Sequence, residues 1–175
     1  MAAALTLSSA PDGPRFAPGE APPSLRRAVA RAERAIRAAA CDVEERFGEG
    51  EPDASAVGCA EVAAAPDIPG VTVGRTSARL RNPANAPPAW ARGYVAETDG
   101  RQAAAVPPLA FDLGDRVGLL RPIAIRARCL RCHAPAEKLS EATRAWLSRA
   151  YPQDRALGYA LGDLRGFWWA EAPKR

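Results

Sequence analysis

Histidine and methionine are nearly missing from this chain. Its 175 residues include one histidine, His133, and one methionine, Met1. A second imidazole for acid–base work is therefore lacking, and no Ser-His-acid or Glu-x-x-His pattern is present, so the residues do not point to an enzyme. With methionine confined to residue 1, an internal thioether ligand for a metal is excluded. Cysteine is scarce as well: four residues with a single Cys-x-x-Cys among them do not suit a disulfide-stapled mini-fold at this length. No run approaches the ~20 apolar residues that a membrane-spanning helix needs. The basic residues exceed the acidic ones by 24 to 20, for a formal net charge of +4. They are scattered rather than blocked, which argues against nucleic acid as a partner and leaves an acidic protein or a membrane surface compatible with the charge. Residues Met1 to Ala10 are small and apolar but have no basic leader and are short for a signal peptide. A leader, if one is used, is expected upstream or already removed.

What is present organises into one domain behind a tail. Hydrophobic residues make up 47% of the chain, enough for a sizeable core at this length. Residues 1–23 carry Pro11, Pro14, Pro18, Pro22 and Pro23 with Gly13 and Gly19, the composition of a flexible, unpacked tether. Residues 24–175 form the domain. Ser24 is a plausible helix N-cap, and Leu25, Val29, Ala32, Ile36, Ala40, Val43 and Phe47 recur at helical spacing along about six turns. Arginines occupy the other faces, and Cys41 sits beside the stripe. Asp53 is placed to cap a shorter helix over 54–65. There Cys59 lies among Ala56, Ala60 and Ala63, neighbours small enough to admit a flat group. Its bland role is that of a buried structural cysteine.

Residues 71–77 alternate and are β-branched, the pattern of a strand, with Arg75 on the same face as Val71 and Val73. Arg75 is then either a buried charge in need of an anion or an edge residue. The stretch 79–88 is a shaped turn followed by a short helix capped at Asn85, with Trp90 and Tyr94 on one face. Asp99-Gly100 marks a turn. Strands are expected over 103–112 and 116–126, the second leading through Pro122 to Cys129. Ser140 caps a helix to about Ala150, and Phe167 to Ala170 reads as a terminal strand.

The sharpest signal is Cys129-Leu130-Arg131-Cys132-His133. Cys-x-x-Cys-His is the attachment pattern for c-type haem, in which two thiols take up the porphyrin vinyl groups and the adjoining imidazole ligates the iron. Two other chemistries share part of it. A four-thiolate zinc module would add Cys41 and Cys59, and a thioredoxin-like redox pair would leave His133 incidental. Under the haem reading, Cys129 and Cys132 hold one haem c and His133 is the proximal ligand. The sixth ligand is then Cys41, Cys59, a lysine, water or an open position. Arg75, Arg79, Arg81, Asn82, Asn85, Tyr159 and Arg165 have the right chemistry for haem propionates, Arg75 and Arg81 foremost. Asn82 and Asn85 also suit a purely local role in turn and cap.

Around this motif the chain resembles a family of PAS-like, single-haem c-type domains, long catalogued as a domain of unknown function. Members occur as free periplasmic proteins and as sensor regions of histidine kinases and chemoreceptors. The resemblance rests on Ala56-Val57-Gly58-Cys59, Val73-Gly74-Arg75-Thr76-Ser77, Arg81-Asn82-Pro83-Ala84-Asn85-Ala86-Pro87 and Arg121-Pro122-Ile123. It continues with Cys129 to His133, Tyr151-Pro152-Gln153-Asp154-Arg155-Ala156-Leu157-Gly158-Tyr159 and Gly162-Asp163-Leu164-Arg165-Gly166, over about residues 25–172. Two features depart from the family: Ala134-Pro135 follows the histidine where Gly is usual, and Phe167-Trp168-Trp169 replaces a small, β-branched strand.

The resemblance implies an α/β (α+β) fold, a PAS-like antiparallel sheet with N-terminal helices packed on it. It also implies a distal cysteine at Cys59. A His/thiolate pair favours ferric iron, so a low potential is expected. The functional expectation is electron transfer in the periplasm with a redox partner protein. The alternative is a redox or small-ligand sensor that signals through a ligation change to a separate signalling protein.

Overall fold

The computed structural model describes residues 13–46 and 68–175, with backbone only for 41–46. The expected helix over 54–65, Cys59 within it and the side chain of Cys41 lie outside the described residues. The architecture is α+β, as expected: one long helix covers a five-stranded antiparallel sheet, and short helices close the remaining sides.

Helix α1 spans Arg26–Arg46. It starts two residues after Ser24, because Leu25 and Arg26 donate to the carbonyl of Pro22 and form a turn before the helix begins. As far as Ala40 its inward face is the expected stripe, widened by alanines: Leu25 just before it and Ala28, Val29, Ala32, Ala35, Ile36 and Ala39 are buried, with Ala40 partly buried against them, while the side chains of Val43 and Phe47 lie outside the described residues. So many alanines let the helix lie close to the sheet.

The strands are β1 (Arg15–Phe16), β2 (Thr72–Thr76), β3 (Leu109–Asp112), β4 (Arg116–Ala124) and β5 (Leu164–Pro173), in the order β1-β3-β4-β5-β2. The tether expected over 1–23 is corrected from residue 15 onward. Arg15 and Phe16 pair with Phe111 and Ala110, and Ala21 is buried in the core under α1. A free edge on β3 offers backbone hydrogen bonds that a proline-rich segment can accept over two proline-free residues. The strand expected over 103–112 is also shorter than read, since Ala103–Ala105 is a 3-10 turn and pairing starts at Leu109, after Pro107 and Pro108. Proline has no N–H for the ladder. Pro122 is tolerated inside β4 because β3 stops at the Leu109–Leu120 pair, leaving β4 a neighbour on one side only there. The terminal strand is longer than expected, running from Leu164 to Pro173.

On one face of the sheet Val117, Leu119, Ala110, Trp168, Ala170 and Ala172 meet α1. On the other, Phe111, Leu120 and Phe167 meet helix α2 (Arg92–Glu97) and Trp90. The indole of Trp90 lies on Gly118, where an added Cβ would sit 3.0 Å from the ring, and its N–H donates to Glu171 at 2.8 Å. The short helix expected to be capped at Asn85 is α2, which begins only at Arg92 with no side-chain cap; Asn85 instead ends the 3-10 turn Pro83–Asn85, which Asn82 caps by accepting from the backbone of Ala84. Helix α3 (Leu130–His133) and helix α4 (Glu141–Ala150, capped by Ser140 as expected) complete the fold. Among the described residues no helix is long and apolar enough to cross a membrane.

Candidate functional site

Strand β4 delivers the Cys-x-x-Cys-His segment. Past Ala124 the chain leaves the ladder, and Ile125, buried against Ala156 and Tyr159, anchors the exit. Its N–H donates to Asp163 and its carbonyl accepts from Gly162. A 3-10 turn over Ala127–Cys129 then runs into α3, which places Cys129 and Cys132 three residues apart on one side. Both thiol residues are half-buried. Helix α3 stops at His133 because Pro135 forces Ala134 into extended backbone (ψ 170°).

His133 is buried, 5% exposed. Its Nδ1 lies 2.6 Å from the carbonyl oxygen of Ala156. A carbonyl can only accept, so Nδ1 carries the proton and Nε2 keeps its lone pair. Burial holds the imidazole well below its ordinary pKa of 6.5; the charges of Arg165, Arg81 and Arg75 push the same way, and the Ala156 contact opposes them. His133 is therefore neutral, the form that binds a metal. Backbone bonds fix the loop that carries Ala156: Tyr159 donates to the carbonyl of His133, Gly158 to that of Ala134, and Arg155 to that of Leu80.

The cations are brought together, with different partners. Arg75, half-buried on edge strand β2, stacks over Trp168 at 5.4 Å. Arg81 is buried in an ion pair with Asp154 at 2.9 Å, and it donates to the carbonyl of Cys132 at 2.5 Å. Arg79 lies over the ring of Tyr159 at 4.1 Å and donates to the carbonyls of Arg155 and Leu157. Arg165 faces the same ring at 5.7 Å. The Tyr159 ring stands edge-on to His133. Among the described residues, the hydroxyls of Tyr159 and Thr76 are buried without a hydrogen-bond partner, an arrangement proteins rarely leave in place without a ligand or water to satisfy it. Gly166 belongs to the same wall: φ is +147°, and an added Cβ would fall 2.2 Å from the carbonyl oxygen of Thr76. Only glycine lets β5 approach β2 there.

Asp154 and the Ala156 carbonyl were not singled out from the sequence. Asp154 stands in the Pro152-Gln153-Asp154 turn, where an acidic side chain is ordinary. A backbone acceptor leaves no signature in residue types at all. Among the described residues no three His, Cys, Asp or Glu side chains converge as a metal-ion site.

The family model named Tll0287-like matches residues 23–173. This chain belongs to the Tll0287-like family. Its fold is also that of the crystal structure of the cyanobacterial heme-protein Tll0287, with 23% sequence identity, a TM-score of 0.50, and coverage of 89% of this chain and 98% of that one. No curated protein matches it. The family match begins two residues before Leu25 and ends at the last residue of β5, so it takes in the helix, the whole of strands β2 to β5 and the Cys-x-x-Cys-His segment.

Proposed function

We propose that this member of the Tll0287-like family is a c-type haem protein of the periplasm that carries electrons. One haem is bound covalently through Cys129 and Cys132, with His133 as the proximal iron ligand. The observation that carries the proposal is the 2.6 Å contact between His133 Nδ1 and the Ala156 carbonyl. It leaves Nε2 as the ligating nitrogen, in a neutral imidazole one residue beyond the second thiol of the motif. Metal-ligating histidines commonly have their other nitrogen held in this way. The surroundings fit the group: Arg75 and Arg165 add positive charge beside His133, suited to propionate carboxylates, and the buried hydroxyls of Tyr159 and Thr76 have hydrogen bonds still to make. Arg81 adds its charge to the same region while its donors are engaged with Asp154 and two carbonyls. That a structurally similar cyanobacterial protein is a heme-protein supports the same reading.

When bound, haem supplies a one-electron couple. The chain's own residues then attach it, hold the imidazole at a fixed tautomer, and exclude water from the proximal side. Cys59 is the proposed distal ligand, and a thiolate there favours the ferric state and a low potential.

Mass spectrometry of the denatured protein, made together with haem-attachment machinery, tests the proposal. Haem retained on the wild type and lost from the Cys129→Ala/Cys132→Ala variant is the expected result. A zinc module, in which Cys41 and Cys59 would complete the thiolate set, would show no such mass. Optical and magnetic spectra of Cys59→Ser in both oxidation states separate the finer readings. A changed spin state and a raised potential support the thiolate, and an unchanged spectrum removes Cys59 from the site. The same ligands in ferric and ferrous wild type mark a carrier, and different ligands a sensor.

A further inference from the structure

The carbonyl of Ala156 is shared. It accepts from His133 Nδ1 at 2.6 Å and from Arg81 Nη2 at 3.4 Å. The same Nη2 donates to the carbonyl of Cys132, the residue before His133. Arg81 Nε donates to Asp154 Oδ2 at 2.9 Å, and Asp154 Oδ1 accepts from the backbone N–H of Ala156 at 2.8 Å. Both ends of the Ala156 peptide region are thus gripped by one buried ion pair, whose side chains are 8% and 7% exposed. A turn staple would need the Asp154–Ala156 contact alone. The guanidinium fork goes further and lays a positive charge on two carbonyls that bear on the imidazole, that of Cys132 just before it in the chain and that of Ala156 against its Nδ1.

We propose that Arg81 and Asp154 are positioning residues for His133 that set the redox potential of the bound haem, an inference that rests on the haem reading above. An Nδ1–H donated to a strong acceptor pushes electron density toward Nε2 and the iron, stabilising the ferric state. A carbonyl that also accepts from a guanidinium is a weaker acceptor. Arg81 therefore raises the potential, and Asp154, by neutralising Arg81 and orienting the Ala156 peptide, lowers it. Two substitutions should move the potential in opposite directions. Asp154→Asn leaves the guanidinium charge uncompensated beside His133 and shifts it up. Arg81→Lys keeps the charge on Asp154 but replaces the planar fork by a single point, which cannot span Asp154 and both carbonyls; it frees the Ala156 carbonyl and shifts the potential down.

Spectroelectrochemical titration of the full chain with haem attached reads this out, with mass spectrometry first to establish loading. Absence of covalent haem on the wild type overturns the haem reading and the inference with it. On loaded proteins, an upward shift for Asp154→Asn, a return toward wild type in Asp154→Glu and a downward shift for Arg81→Lys are the expected results. Ser140→Ala, whose side chain caps α4, should not move the potential. Equal potentials in all the loaded proteins, or shifts of reversed sign, overturn the inference. If Asp154→Asn loads no haem, Arg81→Lys decides alone, a downward shift supporting the inference and no shift overturning it.

Discussion

The sheet and the lobe that carries His133 are held together by different forces. Under α1 and on the aromatic face, the sheet buries two clusters of aliphatic and aromatic side chains along continuous strand ladders. Among the described residues, the lobe over 125–160 has two small clusters, Ile125-Ala156-Tyr159 and Ala134-Leu139-Leu147. Its order comes instead from a buried ion pair, a buried imidazole and backbone bonds between loops. Hydrophobic burial is non-directional and tolerates repacking, whereas a buried charge pair demands both partners in place. The molecule thus places its site on the part whose geometry is specified by direction and charge, and keeps the tolerant packing for the scaffold.

Substitutions can break this contrast. The largest effect is expected from Arg81→Ala, which leaves Asp154 buried without its cation and should cost about 3–5 kcal/mol. Hydrogen exchange should place the loss in the lobe, with the β4–β5 ladder still protected. Leu119→Ala, in the α1 cluster, should cost about 2–5 kcal/mol and act on the whole domain at once. Chemical denaturation gives the magnitudes, and a loss spread evenly over the molecule in Arg81→Ala would erase the distinction.

A pH titration of the haem-free protein sharpens it. The folded pKa of His133 is depressed, chiefly by burial. Between that lower value and 6.5 the unfolded chain binds a proton that the folded chain does not, so stability from this group is complete above 6.5 and falls as pH drops through the window. His133→Gln should flatten that slope and leave the sheet substitutions' behaviour unchanged. The smallest effect is at the edge of the lobe: Ser140→Ala removes the acceptor for Thr143 N–H and should cost about 1 kcal/mol, measurable by thermal unfolding.

Much of the scaffold was legible locally. The α1 stripe, the Ser140 cap and the turn at Asp99-Gly100 follow from spacing and capping within a few residues, whereas the break before Leu109 was missed although Pro107 and Pro108 mark it. Arg15 and Phe16 were not, because a two-residue strand has no period to read and depends on an edge that β3 supplies from far along the chain. In the site, Cys129, Cys132 and His133 were legible as a motif, whereas Arg81 was grouped with the propionate arginines on residue type. Its partner Asp154 is 73 residues away in sequence.

By itself the sequence determined which atoms are available: one imidazole, two thiols beside it, no internal methionine, and a helix that must bury its alanine face. These are consequences of residue identity and short-range periodicity. The tertiary structure alone decided which nitrogen of His133 carries the proton, which carbonyl receives it, and which charge stands behind that carbonyl. Those depend on bringing 81, 133 and 154–156 to one buried place, where low dielectric makes each of the contacts matter.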